Sequence, residues 1–491
     1  MRMVGALVAV LLVGFVARSL VTLIPPLVVN DGAYYLVQVR AILRGGALAI
    51  PDFPLLFYVQ ACVALFLSLV MEQRTAIIAA VRITDTFLPL ALAVPVFLCA
   101  RVFVRPGDRP GPGAVAVALV GLVAVVSGNT LLMAGGVIKN AVALPFSFLF
   151  AFATYEWLRG DRPRTLAWAV FWFVLASLTH MGGFILSAAL AAGILAAGAA
   201  IPAVRPRVRL PAIMLPACLA GCLAIVYVLD PVRAQRLVHA VVAPDWLFAG
   251  SPALLWLRGF SDEALRGLFP SGEMWLGNML GVLGIVTLWR HRAGMDAPTR
   301  VVLVASTLVT LAFSLPLLRP DVVQRLALLA YVPGMIPVVY LLCREGGAAL
   351  VVAPLTLAAM LHGTLAVKTL RQTALVPAAH QELEHFRTVL PPGRVIVIAR
   401  PLLRWWVAWT MDTHFSTRVE PALAARHAYD AVLLLDEVRT GAFGVAPGPP
   451  GVGTLCAGVR DAALLQSEVV RTLVDGTYFR LSAVAKPGKL M

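Results

Sequence analysis

Apolar runs close to the roughly 20 residues that cross a hydrocarbon core recur from the first residues to about residue 367. Eleven stand out: 4–24, 83–104, 114–131, 138–157, 166–178, 183–201, 211–229, 274–289, 301–317, 327–342 and 348–367. In lipid each backbone polar group must be paired within its own segment, so these runs predict helices. The alternating pattern of a membrane β-barrel is absent. A further run, 54–71, is long enough to be ambiguous, and charge decides how to read it.

Composition agrees with a membrane solvent. The 491 residues are 60% hydrophobic and 13% charged, too few charges to solvate a soluble protein of this size. The net charge of +15 does not imply nucleic acid. Its arginines sit in short clusters between apolar runs, with no basic stretch interleaved with aromatics. Arg105 and Arg109, then Arg159, Arg162 and Arg164, then Arg205, Arg207 and Arg209, then Arg290, Arg292 and Arg300, then Arg344 fall in alternate loops. The positive-inside rule places those loops in the cytoplasm. Counting backward with Arg2 inside, the first run leads out, and 54–71 lies along the outer interface or re-enters; if 54–71 spans instead, the N-terminus is outside and the Asp31 loop cytoplasmic. The first run is long and lacks a small-residue cleavage pattern before Pro25-Pro26, so it reads as a retained span.

Beyond residue 367 the pattern changes. A polar helical stretch (381–390) precedes two strand-like runs, 394–399 and 430–435, with a tryptophan-rich segment, Arg404-Trp-Trp-Val-Ala-Trp409, between them. Alternating helix and strand signals predict a small α/β domain. The expected organisation is an α-helical polytopic membrane domain over 1–367 and an extracytoplasmic α/β domain over 368–491. Of six cysteines, five lie in apolar runs and Cys456 in the tail, which gives neither a disulfide framework nor a metal-ligand set.

Candidate chemistry concentrates after the first run, in Asn30-Asp-Gly-Ala-Tyr-Tyr35 through Gln38, Arg40 and Gly45, then Pro51-Asp-Phe-Pro54 and Tyr58. A helix capped by Asn30 or Asp31 would carry Tyr34 and Tyr35 near the membrane surface and stop at Gly45-Gly46. Asp31 is then either a cap or a base, and the tyrosines either interface anchors or acceptor contacts. Asp52 is a turn residue or an auxiliary acid able to assist or to bind a divalent cation. Arg82 either pairs with Asp85 three residues on or offers a bidentate fork to phosphate. Lys139 snorkels or meets phosphate. His180, in Thr179-His-Met-Gly-Gly183, is structural or an acceptor contact, and Arg325 is a further cation on an outer loop.

This order of features resembles the GT-C class of membrane glycosyltransferases, which includes oligosaccharyltransferase catalytic subunits, protein O-mannosyltransferases and aminoarabinose transferases. The class pattern is a first span and an outer loop with an essential acid before an aromatic helix. A glycine, a proline-aromatic segment opening an interfacial helix, and an arginine at the outer end of the next span then follow. Asp31, Tyr34-Tyr35, Gly45, Pro51-Asp-Phe-Pro54 with Tyr58, and Arg82 follow that order. Asp31-Gly32 replaces the frequent Asp-Glu, and Asp52-Phe-Pro-Leu55 replaces Pro-Pro-Leu, so the acceptor class does not transfer.

The resemblance implies inverting transfer of a sugar from a polyprenyl-phosphate donor to an acceptor on the outer side, and the alanine- and arginine-rich, lysine-poor usage fits a bacterium, whose inner membrane would then hold the chain. Asp31 would be the base, and Arg82, Lys139 and Arg325 the phosphate contacts. A transporter or flippase for a lipid-linked or anionic substrate is the competing class. It should show charged or broken helices near the midplane of both halves, whereas these polar residues gather at one face. Sidedness is testable directly: a Gly32→Cys variant is expected to react with a membrane-impermeant maleimide added outside intact cells, and labelling only after cytoplasmic access would reverse the topology.

Overall fold

In the computed structural model the described residues are 2–23, 32–104, 113–160, 162–229, 231–243, 245–248, 272–372, 375–400, 403–417, 422, 426–438, 442 and 469–484. Among them, nine helices are long and apolar enough to cross a membrane: Arg2–Thr22, Gln73–Phe103, Gly113–Leu132, Ile138–Gly160, Met181–Ala200, Arg205–Val228, Ala297–Ser314, Val322–Arg344 and Gly346–Lys368. Pro163–Thr179, of 17 residues, and the less apolar Gly272–His291, of 20, accommodate the two remaining predicted runs. Leu55–Leu67 has only 13 residues. At 1.5 Å per residue it spans about 20 Å, short of a hydrocarbon core of about 30 Å.

The chain forms two compact units. The first comprises Met1–Ser19, Ile50–Val59 and Ile83–Val367; the second comprises Leu20–Ala49, Gln60–Arg82 and Lys368–Met491. The first unit is a helical bundle whose outward positions are apolar, Leu12, Leu361 and Leu350 among them, as expected of faces solvated by lipid. Inside, small residues let helices approach closely. Gly183 lies so near the Ala176 carbonyl and Ala143 that no side chain fits there, and Gly334 lies against Leu280 and Thr310. Pro89 removes a backbone donor and coincides with a 3-10 turn, Leu88–Leu92, in the helix running from Gln73 to Phe103.

A buried charge pair ties the first helix into this bundle. Arg18, with no exposed surface, donates to the Asp85 carboxylate at 2.6 Å and also to the Asp85 carbonyl. Another N–H of its guanidinium reaches the Thr130 carbonyl at 3.0 Å. The other Asp85 oxygen accepts the Gly135 N–H at 2.8 Å. The Thr130 hydroxyl meets Tyr331 Oη at 2.7 Å, extending the network to a fourth helix. Asp85 therefore pairs with the first helix rather than with Arg82 on its own helix, which corrects the intrahelical alternative.

The second unit contains a five-stranded sheet in the order β2-β1-β3-β5-β4, with β1 Val395–Ile398, β2 His414–Ser416, β3 Ala431–Glu437, β4 Val469–Asp475 and β5 Phe479–Val484. The two runs predicted as strands pair in parallel, Ile396 opposite Val432. β3, β5 and β4 are antiparallel. The tight β4–β5 turn is held by Glu382, whose carboxylate accepts the N–H groups of Thr477, Tyr478 and Phe479.

The helix Gly32–Gly45 belongs to this same unit and ends before Gly46, whose φ of 72° favours glycine. It packs on the tryptophan-rich helix Arg404–Thr410, with the Tyr34 ring 4.6 Å from that of Trp405. Arg40 donates to the Ala408 and Trp409 carbonyls, which the helix end leaves without intrahelical partners. Arg40 and Arg44 both pair with Asp412.

Breaking a fully buried ion pair from one side leaves an uncompensated charge at a cost of about 3–5 kcal/mol, whereas removing both partners is close to neutral. Arg18→Leu and Asp85→Leu are each expected to lower the melting temperature in detergent sharply, and the double variant to recover more than half of the loss. Equal or additive losses would show that the pair does not hold the bundle.

Candidate functional site

Three of the sequence candidates converge in the first unit. Asp52 precedes the short helix Leu55–Leu67, Lys139 is the second residue of Ile138–Gly160, and His180 caps Met181–Ala200. Lys139 Nζ is ion-paired with Asp52 Oδ2, and both side chains are buried. The other Asp52 oxygen accepts the Phe53 N–H at 2.7 Å. The ammonium also faces the Phe57 ring at 5.0 Å from its centroid, a cation–π contact.

His180 sits 6.2 Å from the Phe53 ring, centroid to centroid, and its Nδ1 accepts the Gly182 N–H at 2.9 Å. A neutral imidazole in that role carries its proton on Nε2. Beside it, Asn140 Oδ1 is buried and lacks a hydrogen-bond partner among the described residues. It lies against Gly182 so closely that a methyl group there would collide with it.

Lys139, read from sequence as snorkelling or meeting phosphate, is buried here with a carboxylate against its ammonium. Asp52 is likewise more than a turn residue. Its carboxylate is engaged by an ammonium, and among the described residues no three of His, Cys, Asp and Glu converge to hold a metal.

Tyr34, Tyr35, Arg40 and Arg82 belong to the second unit. Tyr34 accepts from Gln38 Nε2 at 2.9 Å, and Tyr35 is fully buried. Burial pushes the Arg40 guanidinium down to about 10, so it remains charged at neutral pH. Burial alone would raise the Asp412 carboxyl, but the hydrogen bond from Arg44 and the charges of Arg40 and Arg44 hold it below its ordinary value. Arg74 pairs with Glu384 at 2.8 Å and, like Arg40, lies over the Trp409 ring. Arg82 is half-buried, several residues inside a helix that begins at Gln73 rather than at the end of a span.

Arg325 is exposed near the start of Pro320–Arg344. Asp31 lies outside the described residues, one position before the helix Gly32–Gly45. The groups that sequence reasoning missed are Arg18, Asn140 and Asp412. An arginine at the seventeenth of 21 positions of a helix apolar enough to cross a membrane requires a buried partner, and that requirement was the available signal for Arg18.

A bundle of long apolar helices, a short helix of 13 residues and a sheet-containing tail make up a fold that the chain shares with solved oligosaccharyltransferase structures. Among solved structures it is similar to the oligosaccharyltransferase of Archaeoglobus fulgidus in complex with Zn and sulfate, with 17% identity over 83% of this chain and 62% of that one, and a TM-score of 0.51. The chain thus spans less than two thirds of that enzyme's length. The same enzyme tethered to an acceptor peptide containing the NVT sequon aligns over 88% of this chain and 69% of that one at 14% identity, with a TM-score of 0.52. ArnT from Cupriavidus metallidurans in the apo state aligns over 98% of each chain at 14% identity and a TM-score of 0.45. No protein-family model matches the chain, and no curated protein does.

His380 supplies a pH-dependent test of the second unit. Burial lowers its pKa, repulsion from Arg74 and Arg82 adds to this, and Glu384 opposes it. The folded imidazole therefore stays neutral where the unfolded one, with a pKa of about 6.5, takes up a proton. Stability is expected to fall as pH drops from 7 through that value toward the depressed one. A His380→Gln variant should lose this slope in melting temperature between pH 7 and 5; an unchanged slope would remove His380 as its source.

Proposed function

We propose that the chain is an inverting membrane glycosyltransferase, transferring a sugar from a polyprenyl-phosphate donor to an acceptor on the extracytoplasmic side of a bacterial inner membrane. The observation that carries the reading is the similarity of fold to an oligosaccharyltransferase over more than four fifths of the chain. The acid, the aromatic helix and the short proline-led helix follow one another in the order of the GT-C pattern.

The chemistry asks for few groups. In the proposed step the Asp31 carboxylate takes the proton of the acceptor nucleophile as it attacks the anomeric carbon. The bond from that carbon to the phosphate oxygen breaks, and its electron pair leaves with the polyprenyl phosphate. A single displacement of this kind inverts the anomeric centre. Guanidinium groups stabilise the charge developing on the leaving phosphate, and Arg82 is the candidate for a bidentate contact, with Arg325 as a further cation. The tyrosines of the helix Gly32–Gly45 have structural partners in the second unit, so their proposed role is to fix that helix behind Asp31.

Loss of a general base costs about 10²–10⁴ in rate. Asp31→Ala and Asp31→Asn are expected to lower sugar transfer from a polyprenyl-phosphate donor by that factor while leaving the melting temperature within about a degree of wild type. Full turnover by a folded Asp31→Ala protein would exclude Asp31 as the base.

A further inference from the structure

The helix Leu55–Leu67 ends in a way suited to lipid. The last four carbonyls of a helix have no partner within it. Here all four are taken by the turn that follows. Ser68 donates its N–H to the Ala64 carbonyl at 2.9 Å and its hydroxyl to the Leu65 carbonyl at 2.7 Å. The N–H groups of Leu69 and Val70 reach the Phe66 and Leu67 carbonyls. The helix end therefore leaves no orphan acceptor, and lipid, which supplies no donor, tolerates it. The side chains of this tip are apolar and uncovered. Leu65, Phe66, Leu69 and Val70 are 59% to 81% exposed, and the exposed Cys62 lies one turn before Leu65 and Phe66 on the same face.

Positive charge stands within reach. Arg74 follows Val70 by four residues, a reach of at most about 14 Å. Its guanidinium and that of Arg40 lie over the Trp409 ring, 5.2 and 5.1 Å from the centroid. Arg44 shares Asp412 with Arg40 and is exposed. Arg387, also exposed, is close enough for its charge to oppose that of Arg40. Against these four guanidiniums stand the carboxylates of Asp412 and Glu384, and Glu72 beside the tip. One positive charge remains over, and Arg44 and Arg387 are open to an anion from outside. The tip and the cations belong to the second unit. An apolar tip with surplus cations close by matches an amphiphile that has an acidic head. A second copy of the chain fits poorly, because a two-fold contact would set the same arginines against one another.

We propose that the 62–70 tip and the guanidiniums of Arg44, Arg74 and Arg387 dock the second unit on an anionic phospholipid leaflet, with acyl chains against the tip and headgroup phosphates at the arginines. This surface gives the expected interfacial segment a lipid selectivity and ties it to the sheet-bearing tail. It involves none of Lys139, Arg82 and Arg325, and it does not depend on the glycosyltransferase reading.

Cys62 is a native handle for the test. The purified full chain, with its other five cysteines changed to alanine, carries a fluorophore on Cys62 in detergent micelles. Phosphatidylglycerol or phosphatidylcholine bearing a nitroxide near the top of one acyl chain is then added as quencher. A guanidinium near an anionic surface contributes a factor of about five. Phosphatidylglycerol is therefore expected to quench at a mole fraction at least about fivefold lower than phosphatidylcholine. Arg44→Gln/Arg387→Gln should abolish that preference and leave phosphatidylcholine unaffected. Leu65→Ser/Phe66→Ser should weaken quenching by both lipids, and added salt should erode only the preference.

Equal quenching of wild type by the two lipids would overturn the proposal, as would a preference that survives the loss of both arginines. Quenching by neither lipid would assign the tip to a soluble partner and refute the docking surface. Displacement of labelled phosphatidylglycerol by polyprenyl phosphate, but not by unlabelled phosphatidylglycerol, would make this a donor site instead. Should Arg44→Gln fail to fold without its Asp412 pair, Arg387→Gln and the salt series on wild type carry the same test. Sugar transfer enters none of these measurements, so the proposed activity stands or falls separately.

Discussion

Hydrocarbon gives a polar group nothing to bond with, and the first unit depends on how the fully buried Arg18 guanidinium is satisfied. Arg18 is matched by Asp85, by the Asp85 and Thr130 carbonyls and, through Asp85, by the Gly135 N–H. Any one of these bonds is worth little net, but leaving a member unpaired in lipid is expensive. The first helix is largely lipid-facing, with most of its apolar side chains outward, so apolar packing fixes its rotation and depth weakly. The arginine supplies what packing does not. The same carboxylate fixes the Gly135 turn, four residues before Lys139, so a structural pair reaches the backbone that presents a candidate binding residue.

The second unit handles charge differently. Asp412, at a φ of 57° that aspartate tolerates better than most side chains, takes two guanidiniums, and its unit keeps more arginines than acids around Trp409. Arg40 is occupied by two helix-end carbonyls and a carboxylate, and its guanidinium lies over the Trp409 indole. These contacts fasten the helix that follows Asp31 to the tryptophan-rich helix of the tail. A composition boundary at residue 367 is therefore not a boundary of packing: 20–49 and 60–82 fold with residues beyond it.

Much of the fold was legible because lipid imposes a simple rule on sequence. Each of the eleven apolar runs lies on a helix, and the two β-rich runs of the tail are adjacent parallel strands. The limits are equally physical. The helix from Gln73 starts ten residues before its apolar run because Gln73, Arg74 and Thr75 carry polar side chains that hydropathy ignores. β4 is partly exposed and mixes Arg471 and Asp475 with valines, so it carried no strand-like apolar run. Pairings such as Arg18 with Asp85, or Lys139 with Asp52, join residues 67 and 87 positions apart, and no local period encodes them. The residue types of the candidate site were visible; which charges neutralise one another was not.

That distinction changes what a cation in such a site means. A sequence offers Lys139, Arg82, Arg325 and Arg40 as equivalent positive charges, and a phosphate would seem to find all of them. Folding separates them by what they already hold. Arg40 is committed to carbonyls that only a peptide backbone supplies, and phosphate cannot take its place without unpairing a helix end. Lys139 is held by a carboxylate, an anionic partner of the kind another anion competes with. Arg325 is exposed, and salt screens it. Selectivity for an anionic headgroup then follows less from the number of cations near the membrane surface than from which of them has a partner that an anion can displace.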